Sequence, residues 1–425
     1  MMSFCQACGW SNLEPILSLG WLPPPNDMWP IGSDNRPQTW MPTDLLYCHT
    51  CTLVQLDYTG PAEVVFPAHY PYTSGVTKNL RDNFADLYRE MKELLNLKSD
   101  DAIIDIGSND GTLLSNFVDK HQVIGIEPTD IADMAQDRGI RTVKTFFNAD
   151  TARKINGWTS SRGRNIVTCA NCFAHMTSVP DIMTGIRELI GDDGVFVSES
   201  HYLMSLLDSL QYDTIYHEHL RYYSLHSISY LLHKFGLEVF HVKKIPTHGG
   251  SIRVYARKLG SSAGIPTTSD VRVMMDSEPH GADLVNKLKR FAKDVRLSKL
   301  QLMSKMFDYR LKGYTVAGIS APSRAATVIN YCRLELDYVV ELPGSLKIGK
   351  CMPGTNIPVG NENILFGSDQ PQAAVLFSWH IADEIIPKLR AKGYRGEICL
   401  PCARWNQSHD HDPERDPCNW PENMR

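Results

Sequence analysis

The sequence lacks the features that mark membrane-spanning, secreted and nucleic-acid-binding proteins. Although 43% of its 425 residues are hydrophobic, its apolar runs are too short to span a bilayer. Residues 1–5 form neither a basic n-region nor an apolar h-region, so we predict no secretory signal and a cytoplasmic location. A net charge of −5 gives no electrostatic reason to expect a nucleic-acid partner. We expect a soluble multidomain protein, monomeric or weakly dimeric, with no membrane partner.

The cysteine content argues against a disulfide framework. The count of eleven is odd, and in a cytoplasmic chain metal ligation or free thiols are expected instead. Two Cys-x-x-Cys pairs, Cys5 with Cys8 and Cys48 with Cys51, can supply the four thiolates of a tetrahedral zinc site. Such a site has no open coordination position, so we predict a structural zinc. Four unligated thiols are the alternative.

A connector and a helix follow this lobe. Tyr70 and Tyr72 lie in the connector, residues 66–75, and either present a phenol to a neighbouring site or pack as an aromatic linker. Apolar residues at helical spacing predict a helix over 76–97.

The dinucleotide fingerprint Gly-x-Gly-x-x-Gly is also missing. In its place a buried-strand pattern at 102–106 runs into Gly-Ser-Asn-Asp-Gly at 107–111 and a predicted apolar helix at 112–117. Glu127 ends the next predicted strand, where a carboxylate typically grips ribose hydroxyls in α/β folds. The pattern resembles the first motif of class I S-adenosylmethionine-dependent methyltransferases. The cofactor-binding candidates are Asp105, Gly107, Asn109, Gly111, Glu127 and Asn171.

The alternation of strands and helices continues. Strands are predicted at 165–170 and 194–199, and a closing antiparallel hairpin at 237–256. Loops beyond the carboxyl ends of such strands form the ligand crevice. Cys169 and Cys172 have no second pair nearby, so we interpret them as packing residues near the cofactor. His175 is either a site residue or a core histidine.

Residues 214–224, Thr-Ile-Tyr-His-Glu-His-Leu-Arg-Tyr-Tyr-Ser, are unusually rich in groups that can transfer protons. The segment follows the predicted strand at 194–199 and should overhang the crevice. Two alternatives stay open. His217 and His219 would share one face of a strand and could bind a metal, or the cluster could be purely structural.

The last part of the chain predicts a second, smaller doubly wound lobe. A long helix is predicted at 282–312 and a strand at 314–319, and residues 320–327 open a helix in a geometry that can accept phosphate. Cys399 and Cys402 are interpreted as thiols without metal, and the tail 406–425 as disordered. The candidate diphosphate contacts are Ser320, Ser323, Arg324 and Lys347, which could equally be solvated surface residues.

Taken in order, the motifs resemble those of the deoxysugar C-methyltransferases. They are Cys-x-x-Cys twice, Tyr-Pro-Tyr-Thr-Ser-Gly, Asp-Ile-Gly-Ser-Asn-Asp-Gly, Tyr-His-Glu-His and His-Gly-Gly-Ser-Ile-Arg-Val. The resemblance implies an α/β fold, with a class I methyltransferase Rossmann-like sheet between a small zinc-binding lobe and a second Rossmann-like lobe. The implied boundaries are 1–75 for the zinc-binding domain and connector, 76–260 for the methyltransferase domain, 261–405 for the nucleotide-sugar-binding domain and 406–425 for the tail.

The resemblance also implies an activity: methyl transfer from S-adenosylmethionine to the α carbon, C3, of a 4-keto-deoxysugar linked to dTDP or CDP. His219 is implied as the base, with Tyr216 and Glu218 as partners and Tyr72 facing the same site. Carbon becomes a nucleophile only when the α proton is removed, so a base of near-neutral pKa and a donor to the enolate oxygen are needed. His248 and Gly249 are substrate-contact candidates, although His248 could instead form the turn.

Two other functions are compatible with the sequence. One keeps the cofactor but transfers the methyl group to an oxygen or to a non-sugar acceptor. The other is a non-enzymatic, zinc-bearing nucleotide-binding protein built on a methyltransferase scaffold.

Overall fold

The computed structural model describes residues 4–33, 38–68, 70, 72–159, 163–261 and 264–402. The predicted tail, 406–425, lies outside the described residues. The predicted α/β fold class is confirmed. An antiparallel sheet lies in the N-terminal lobe, a mixed sheet in the centre and a parallel sheet in the C-terminal lobe. In the described part of the chain, every helix is too short or too polar to cross a membrane.

The helices and strands follow the chain in three groups. The N-terminal lobe and connector contain β1 (Leu13–Leu22), β2 (Trp29–Pro30), β3 (Met41–Cys48), β4 (Val54–Leu56) and α1 (Ala62–Val65). The central part contains α2 (Lys78–Leu94), β5 (Ala102–Ile106), β6 (Gln122–Ile126), α3 (Ala132–Asp137), β7 (Thr142–Val143), α4 (Ala149–Asn156), β8 (Asn165–Ala170), α5 (Val179–Ile190), β9 (Val195–His201), α6 (Leu203–Asp208), β10 (Arg221–Tyr222), α7 (Leu225–Lys234), β11 (Leu237–Ile245) and β12 (Ser251–Lys258). The C-terminal part contains α8 (Ser269–Ser277), α9 (Gly281–Leu311), β13 (Val316–Ile319), α10 (Ser323–Cys332), β14 (Tyr338–Glu341), β15 (Lys350–Cys351), β16 (Val359–Asn361), β17 (Ala373–Leu376), α11 (Ala382–Ala391) and β18 (Glu397–Cys399).

The N-terminal sheet has the strand order β1-β3-β4-β10. β10 comes from the centre of the chain and pairs antiparallel with β4, with Arg221 opposite Gln55 and Tyr222 opposite Val54. The polar segment 214–224 is therefore held at its end by the N-terminal lobe.

The central sheet has the order β11-β12-β9-β8-β5-β6-β7. Its strands are parallel except β12, which runs antiparallel to both β9 and β11. Every residue of β5 is buried, as expected for a strand covered on both faces. The helical spacing predicted before β5 is confirmed in α2, whose inward face buries Leu80, Phe84, Leu87 and Met91.

The C-terminal sheet is parallel, with the order β16-β14-β13-β17-β18. The long α9 and the shorter α10 and α11 accompany it. β15 of this lobe also pairs with β2, with Lys350 opposite Pro30 and Cys351 opposite Trp29. The N-terminal and C-terminal lobes are therefore joined directly as well as through the central domain.

One local prediction is wrong. The stretch 112–117 forms turns and a short 3-10 helix, Leu114–Asn116, where an α-helix was predicted. The reason is local competition for backbone groups, because Asp110 accepts hydrogen bonds from the Thr112 amide and hydroxyl, and Asn116 donates to the Thr112 carbonyl. The passage before α9 also contains α8, a helix that the sequence did not predict.

Candidate active site

A cavity of about 860 Å³ lies between the central sheet and the other two lobes. Its walls come from the carboxyl ends of β5, β6, β8 and β9, from the connector, from segment 214–224 and from the C-terminal lobe. The sequence-predicted residues that line it include Gly107, Asn109, Glu127, Asn171, Tyr70, Tyr72, His175, Tyr216, His217, Glu218, His219, His248, Ser323, Arg324 and Lys347. Candidates separated by more than two hundred residues thus share one space.

At one end of the cavity, Glu127 lies beside the glycine turn. β5 and β6 pair in register to their last residues, so the turn after β5 and the carboxylate after β6 are neighbours. The Glu127 carboxylate accepts hydrogen bonds from the Asn109 backbone N–H at 3.1 Å and from the Thr129 backbone N–H and hydroxyl at 3.0 and 2.7 Å. Gly107 and Asn109 both have positive φ, 73° and 50°, which makes the turn tight. This end can accept the hydroxyls of a ribose.

Asp105 and Gly111 lie behind the turn, away from the cavity lining. Asp105 accepts a hydrogen bond from the Thr168 hydroxyl at 2.7 Å, and burial raises its pKa to about 7. A side chain at Gly111 would meet Ile140 and Ala135, so this glycine permits close packing. Both residues therefore support the shape of the turn.

Several buried polar atoms in the cavity wall have no hydrogen-bond partner among the described residues. Asn171 Oδ1 and His248 Nε2 are two of them. Asn171 has φ 58° and His248 has φ 57°, strained values for residues other than glycine. Unpartnered polar atoms are costly in a closed interior, so a polar ligand such as the nucleoside part of S-adenosylmethionine fits this wall.

Segment 214–224 begins at the last residue of a 3-10 turn, Tyr212–Thr214. Residues 215–220, all of them described, form no strand before β10. The premise of a His-x-His site is therefore wrong. His217 contacts the Thr43 hydroxyl at 3.0 Å and the Met41 carbonyl at 3.2 Å. This imidazole is anchored to the N-terminal lobe, and the predicted pairing with His219 on one strand face does not occur.

His219 is held in one tautomer. Its Nδ1 lies 2.7 Å from the Thr214 carbonyl oxygen, so Nδ1 carries the proton and Nε2 carries the lone pair. Burial lowers the pKa of His219 to about 3, below the near-neutral value expected from the sequence. The imidazole is thus neutral across the physiological pH range, with the lone pair on Nε2 free of a proton.

Aromatic rings enclose His219. The ring centroid of Tyr216 lies 4.2 Å away, that of His201 4.7 Å and that of His175 4.9 Å. His175 therefore contributes to the site, which was one of its two predicted roles. His201 was missed because the strand was expected to end at residue 199. Continuing the strand's alternation by two residues would have placed His201 on the same face as Glu199.

Glu218 is buried beside the connector. Its carboxylate accepts hydrogen bonds from Asn26 Nδ2 at 2.6 Å and from the Tyr70 hydroxyl at 3.0 Å. Burial raises the pKa of Glu218 to about 7, against the effect of these donors and of Lys347. The connector therefore presents Tyr70 to the site, and the purely linker alternative is wrong for this residue.

The C-terminal lobe contributes a basic wall. Arg324, at the start of α10, is 7% exposed, so the alternative of a solvated surface residue is wrong. Its guanidinium forms an ion pair with Asp213 at 3.5 Å and donates to the His248 carbonyl oxygen at 3.4 Å. Asp213 also accepts a hydrogen bond from the Trp379 indole at 2.7 Å. Asp213 was missed because nothing in its sequence surroundings indicates an arginine more than one hundred residues away.

Other residues of this lobe differ in their access to the cavity. The Lys347 ammonium donates to the Ala321 carbonyl at 2.6 Å, and burial lowers its pKa. Ser320 lies off the lining and shares a hydrogen bond with Ser378 at 2.8 Å. In the central domain, Gly249 also lies off the lining, and a Cβ at this position would come within 2.7 Å of the Gln211 side-chain amide.

The four N-terminal cysteines form a closed cluster. The sulfurs of Cys5 and Cys51 lie 3.5 Å apart, as do those of Cys8 and Cys48, and all four lie within 4.8 Å of one another. A tetrahedral zinc ion with Zn–S bonds of about 2.3 Å would separate its sulfurs by roughly 3.8 Å. The spacing and the buried thiolate donors therefore fit zinc.

The fold and the cavity define the class of the protein. The open sheet with β12 inserted antiparallel, the glycine turn after β5 and the acidic residue after β6 are those of a class I S-adenosylmethionine-dependent methyltransferase. Comparisons with known families agree. Residues 5–66 match the family described as "Putative zinc binding domain", 78–242 the "Methyltransferase domain", and 246–401 the "C-methyltransferase C-terminal domain".

The chain is an S-adenosylmethionine-dependent C-methyltransferase built from these three domains. It is similar to the C-methyltransferase NovU of Streptomyces niveus, with 29% identity over 388 residues, which cover 90% of this chain and 91% of the relative. The non-enzymatic alternative is therefore set aside.

Similar solved structures include an S-adenosylmethionine-dependent methyltransferase from Clostridium acetobutylicum ATCC 824, with 14% identity, 44% of this chain and 94% of that chain covered, and a TM-score of 0.33. Another is the magnesium protoporphyrin IX methyltransferase of Synechocystis PCC 6803 with bound SAH, with 14% identity, coverage of 42% and 83%, and a TM-score of 0.31.

Proposed function

We propose that the enzyme methylates the α carbon, C3, of a 4-keto-deoxysugar linked to dTDP or CDP. The observation that carries this proposal is the state of His219, a neutral imidazole with its proton fixed on Nδ1 and its lone pair on Nε2. The lone pair on Nε2 can take the α proton that methyl transfer to carbon requires, and this removal becomes efficient when substrate binding raises the pKa of His219 toward neutrality.

Proton removal by His219 leaves an enolate, whose oxygen needs a donor. Tyr216 lies against the His219 ring, and burial raises its pKa well above the usual value, so the phenol stays protonated and able to donate. Tyr72 lines the same cavity and is the second candidate donor. His217 also lines the cavity, but its Nε2 faces the Met41 carbonyl oxygen and carries the ring proton, so the remaining ring nitrogen cannot donate to an enolate oxygen.

The basic wall suits a diphosphate. Arg324 and Lys347 line the cavity together with Ser323. The charge of Arg324 is one of the causes that lower the pKa of His219. An anion bound at Arg324 would offset that charge and strengthen His219 as a base when the substrate is present. Substrate binding and base strength would then be linked.

S-adenosylmethionine, when bound, supplies a methyl group that is already activated on a sulfonium sulfur. The residues assigned to hold it are Glu127, Asn109, Gly107 and Asn171, with Asp105 and Gly111 shaping the turn. The contribution of the chain is alignment and the exclusion of water from a buried site.

We also propose that Cys5, Cys8, Cys48 and Cys51 hold a structural zinc ion, on the evidence of their spacing and burial. A cytoplasmic location, a monomeric or weakly dimeric state and the absence of a nucleic-acid partner stay predictions. The domain boundaries given above also stay predictions.

The deciding experiment incubates the enzyme with methyl-labelled S-adenosylmethionine and a panel of dTDP-linked and CDP-linked 4-keto sugars. We expect one sugar to gain a new carbon–carbon bond and to lose its α proton, both seen by NMR. A labelled methyl group found on oxygen, or transfer confined to non-sugar acceptors, would support the alternative acceptors instead.

A further inference from the structure

Asn26 of the N-terminal lobe lies between segment 214–224 and the C-terminal lobe. Asn26 follows three prolines, residues 23–25, and is 8% exposed. Its Nδ2 donates to Glu218 Oε1 at 2.6 Å, and its Oδ1 accepts a hydrogen bond from the Ser323 hydroxyl at 3.2 Å. The side-chain amide of Asn26 therefore donates to segment 214–224 through its nitrogen and accepts from the first residue of α10 through its oxygen.

The backbone holds Asn26 in this place. Proline fixes φ, so residues 23–25 have little conformational freedom. The Asp27 amide donates to the Pro24 carbonyl at 3.1 Å, and the Met28 amide donates to the Asn26 carbonyl at 2.9 Å. The pairing of β2 with β15 follows directly. The side chain is therefore presented from a fixed turn, which lowers the entropy cost of its contacts.

Glu218 needs a hydrogen-bond donor because its carboxylate is buried. The titratable groups that face it are Tyr70 and Tyr72 of the connector, Tyr216 of its own segment and Lys347 of the C-terminal lobe. Of the groups that donate to Glu218 in the described structure, Asn26 gives the shorter bond and Tyr70 the longer. An amide donor stabilises the ionised carboxylate without adding a charge.

We propose that Asn26 is a positioning residue of the active site, through which the N-terminal lobe favours the ionised form of Glu218 and keeps it in register with Ser323. The proposal deepens the proposed function, because it rests on Glu218 being a partner of His219 in proton removal. The N-terminal lobe would then take part in the reaction and would not serve solely as a metal-stabilised appendage.

The test compares Asn26→Ala and Asn26→Asp with the parent enzyme. Loss of the donor should raise the pKa of Glu218, so the acid limb of the kcat/KM profile should move up by about one pH unit in Asn26→Ala and further in Asn26→Asp. We expect kcat to fall about tenfold in Asn26→Ala with cofactor affinity unchanged. Asn26→Ala should add no further loss in a Glu218→Gln background, since the effect acts through Glu218.

Asn12→Asp is the matched control, because Asn12 is exposed in the same lobe and the charge change is the same. Carboxyl titration of Glu218 by ¹³C NMR, assigned with Glu218→Gln, reports the coupling without any assay of methyl transfer. Unchanged titration in both Asn26 variants, or additive losses in the double variant, overturns the proposal. A shifted titration in an enzyme that methylates none of the keto sugars leaves this inference standing and removes the proposed function. If Asn26→Asp fails to fold, Asn26→Ala decides.

Discussion

The carbonyl oxygen of Thr214 lies 2.7 Å from Nδ1 of His219 and sets the tautomer of that imidazole. A neutral histidine has one lone-pair nitrogen, and this contact makes it Nε2. Both residues belong to segment 214–224, so His219 and the carbonyl group that orients it are close neighbours in the sequence. The predictions about proton removal depend on this nitrogen.

Replacing His219 by Asn should lower methyl transfer by at least about a hundredfold, the range expected for loss of a general base. Solvent exchange of the substrate α proton, followed by NMR in deuterated water, should disappear as well, while calorimetry should find cofactor affinity unchanged. His217→Asn is the neighbouring control and should retain exchange. Retained exchange in His219→Asn would show that another group removes the proton.

Glu127→Ala should weaken S-adenosylmethionine binding by about tenfold or more, because the carboxylate both accepts from the Asn109 amide and is assigned to the ribose hydroxyls. Calorimetry measures the affinity. The exposed Asp133→Asn variant is the control for charge and should bind normally. Affinity unchanged in Glu127→Ala would contradict the ribose assignment.

Glu218 should make stability depend on pH. Its pKa is raised to about 7 in the fold, whereas an unfolded glutamate titrates near 4.3. The folded state therefore binds the proton more tightly, and the stabilisation present below about pH 4 is lost as pH rises through 7. Thermal unfolding of wild type and Glu218→Gln should show the difference between their midpoints shifting in favour of the variant from pH 5 to pH 8. A constant difference would rule out this titration.

The purified protein should contain about one zinc ion per chain when no chelator has been used, as measured by plasma emission spectrometry. Cys48→Ser should lower the zinc content and the thermal midpoint, because four thiolates are needed to close a tetrahedral site. Cys351→Ser, outside the cluster, should leave the zinc content unchanged. Well under one zinc per chain in the wild type would leave the four cysteines as free thiols.

Arg324→Gln should raise the KM for the nucleotide-linked substrate by about tenfold or more while leaving cofactor affinity intact, because a buried guanidinium that faces the cavity suits a diphosphate. Arg333→Gln, at the exposed end of the same helix, is the control. Inorganic diphosphate should inhibit the wild type more strongly than Arg324→Gln. Equal inhibition of both would place the diphosphate elsewhere.

The sequence predicted the parts of this molecule that depend on neighbours along the chain. The strand, glycine turn and acidic residue from Asp105 to Glu127 were identified because buried strands and tight turns have local signatures. The helix predicted at 112–117 was wrong because side chains of Asp110 and Asn116 compete for the backbone there. A hydrophobic run alone cannot reveal such competition.

The contacts between lobes could not be predicted in the same way. Asn26 meets Glu218 across 192 residues and Ser323 across 297, and neither pairing leaves a periodic trace in the sequence. The burial of Arg324 likewise follows from Asp213 and Trp379 meeting it in three dimensions. The resemblance of the motifs to a known family identified candidate residues. The residues that contact those candidates could be identified only from the folded structure.

The pairing of β10 with β4 has a consequence for engineering. The segment that contains His219 ends as an edge strand of the N-terminal sheet, and that sheet also leads to Asn26. A hybrid enzyme that exchanges acceptor preference between relatives would therefore have to transplant the N-terminal sheet and segment 214–224 as one unit. Joining them at the boundary between the first two domains would separate a strand from its partner.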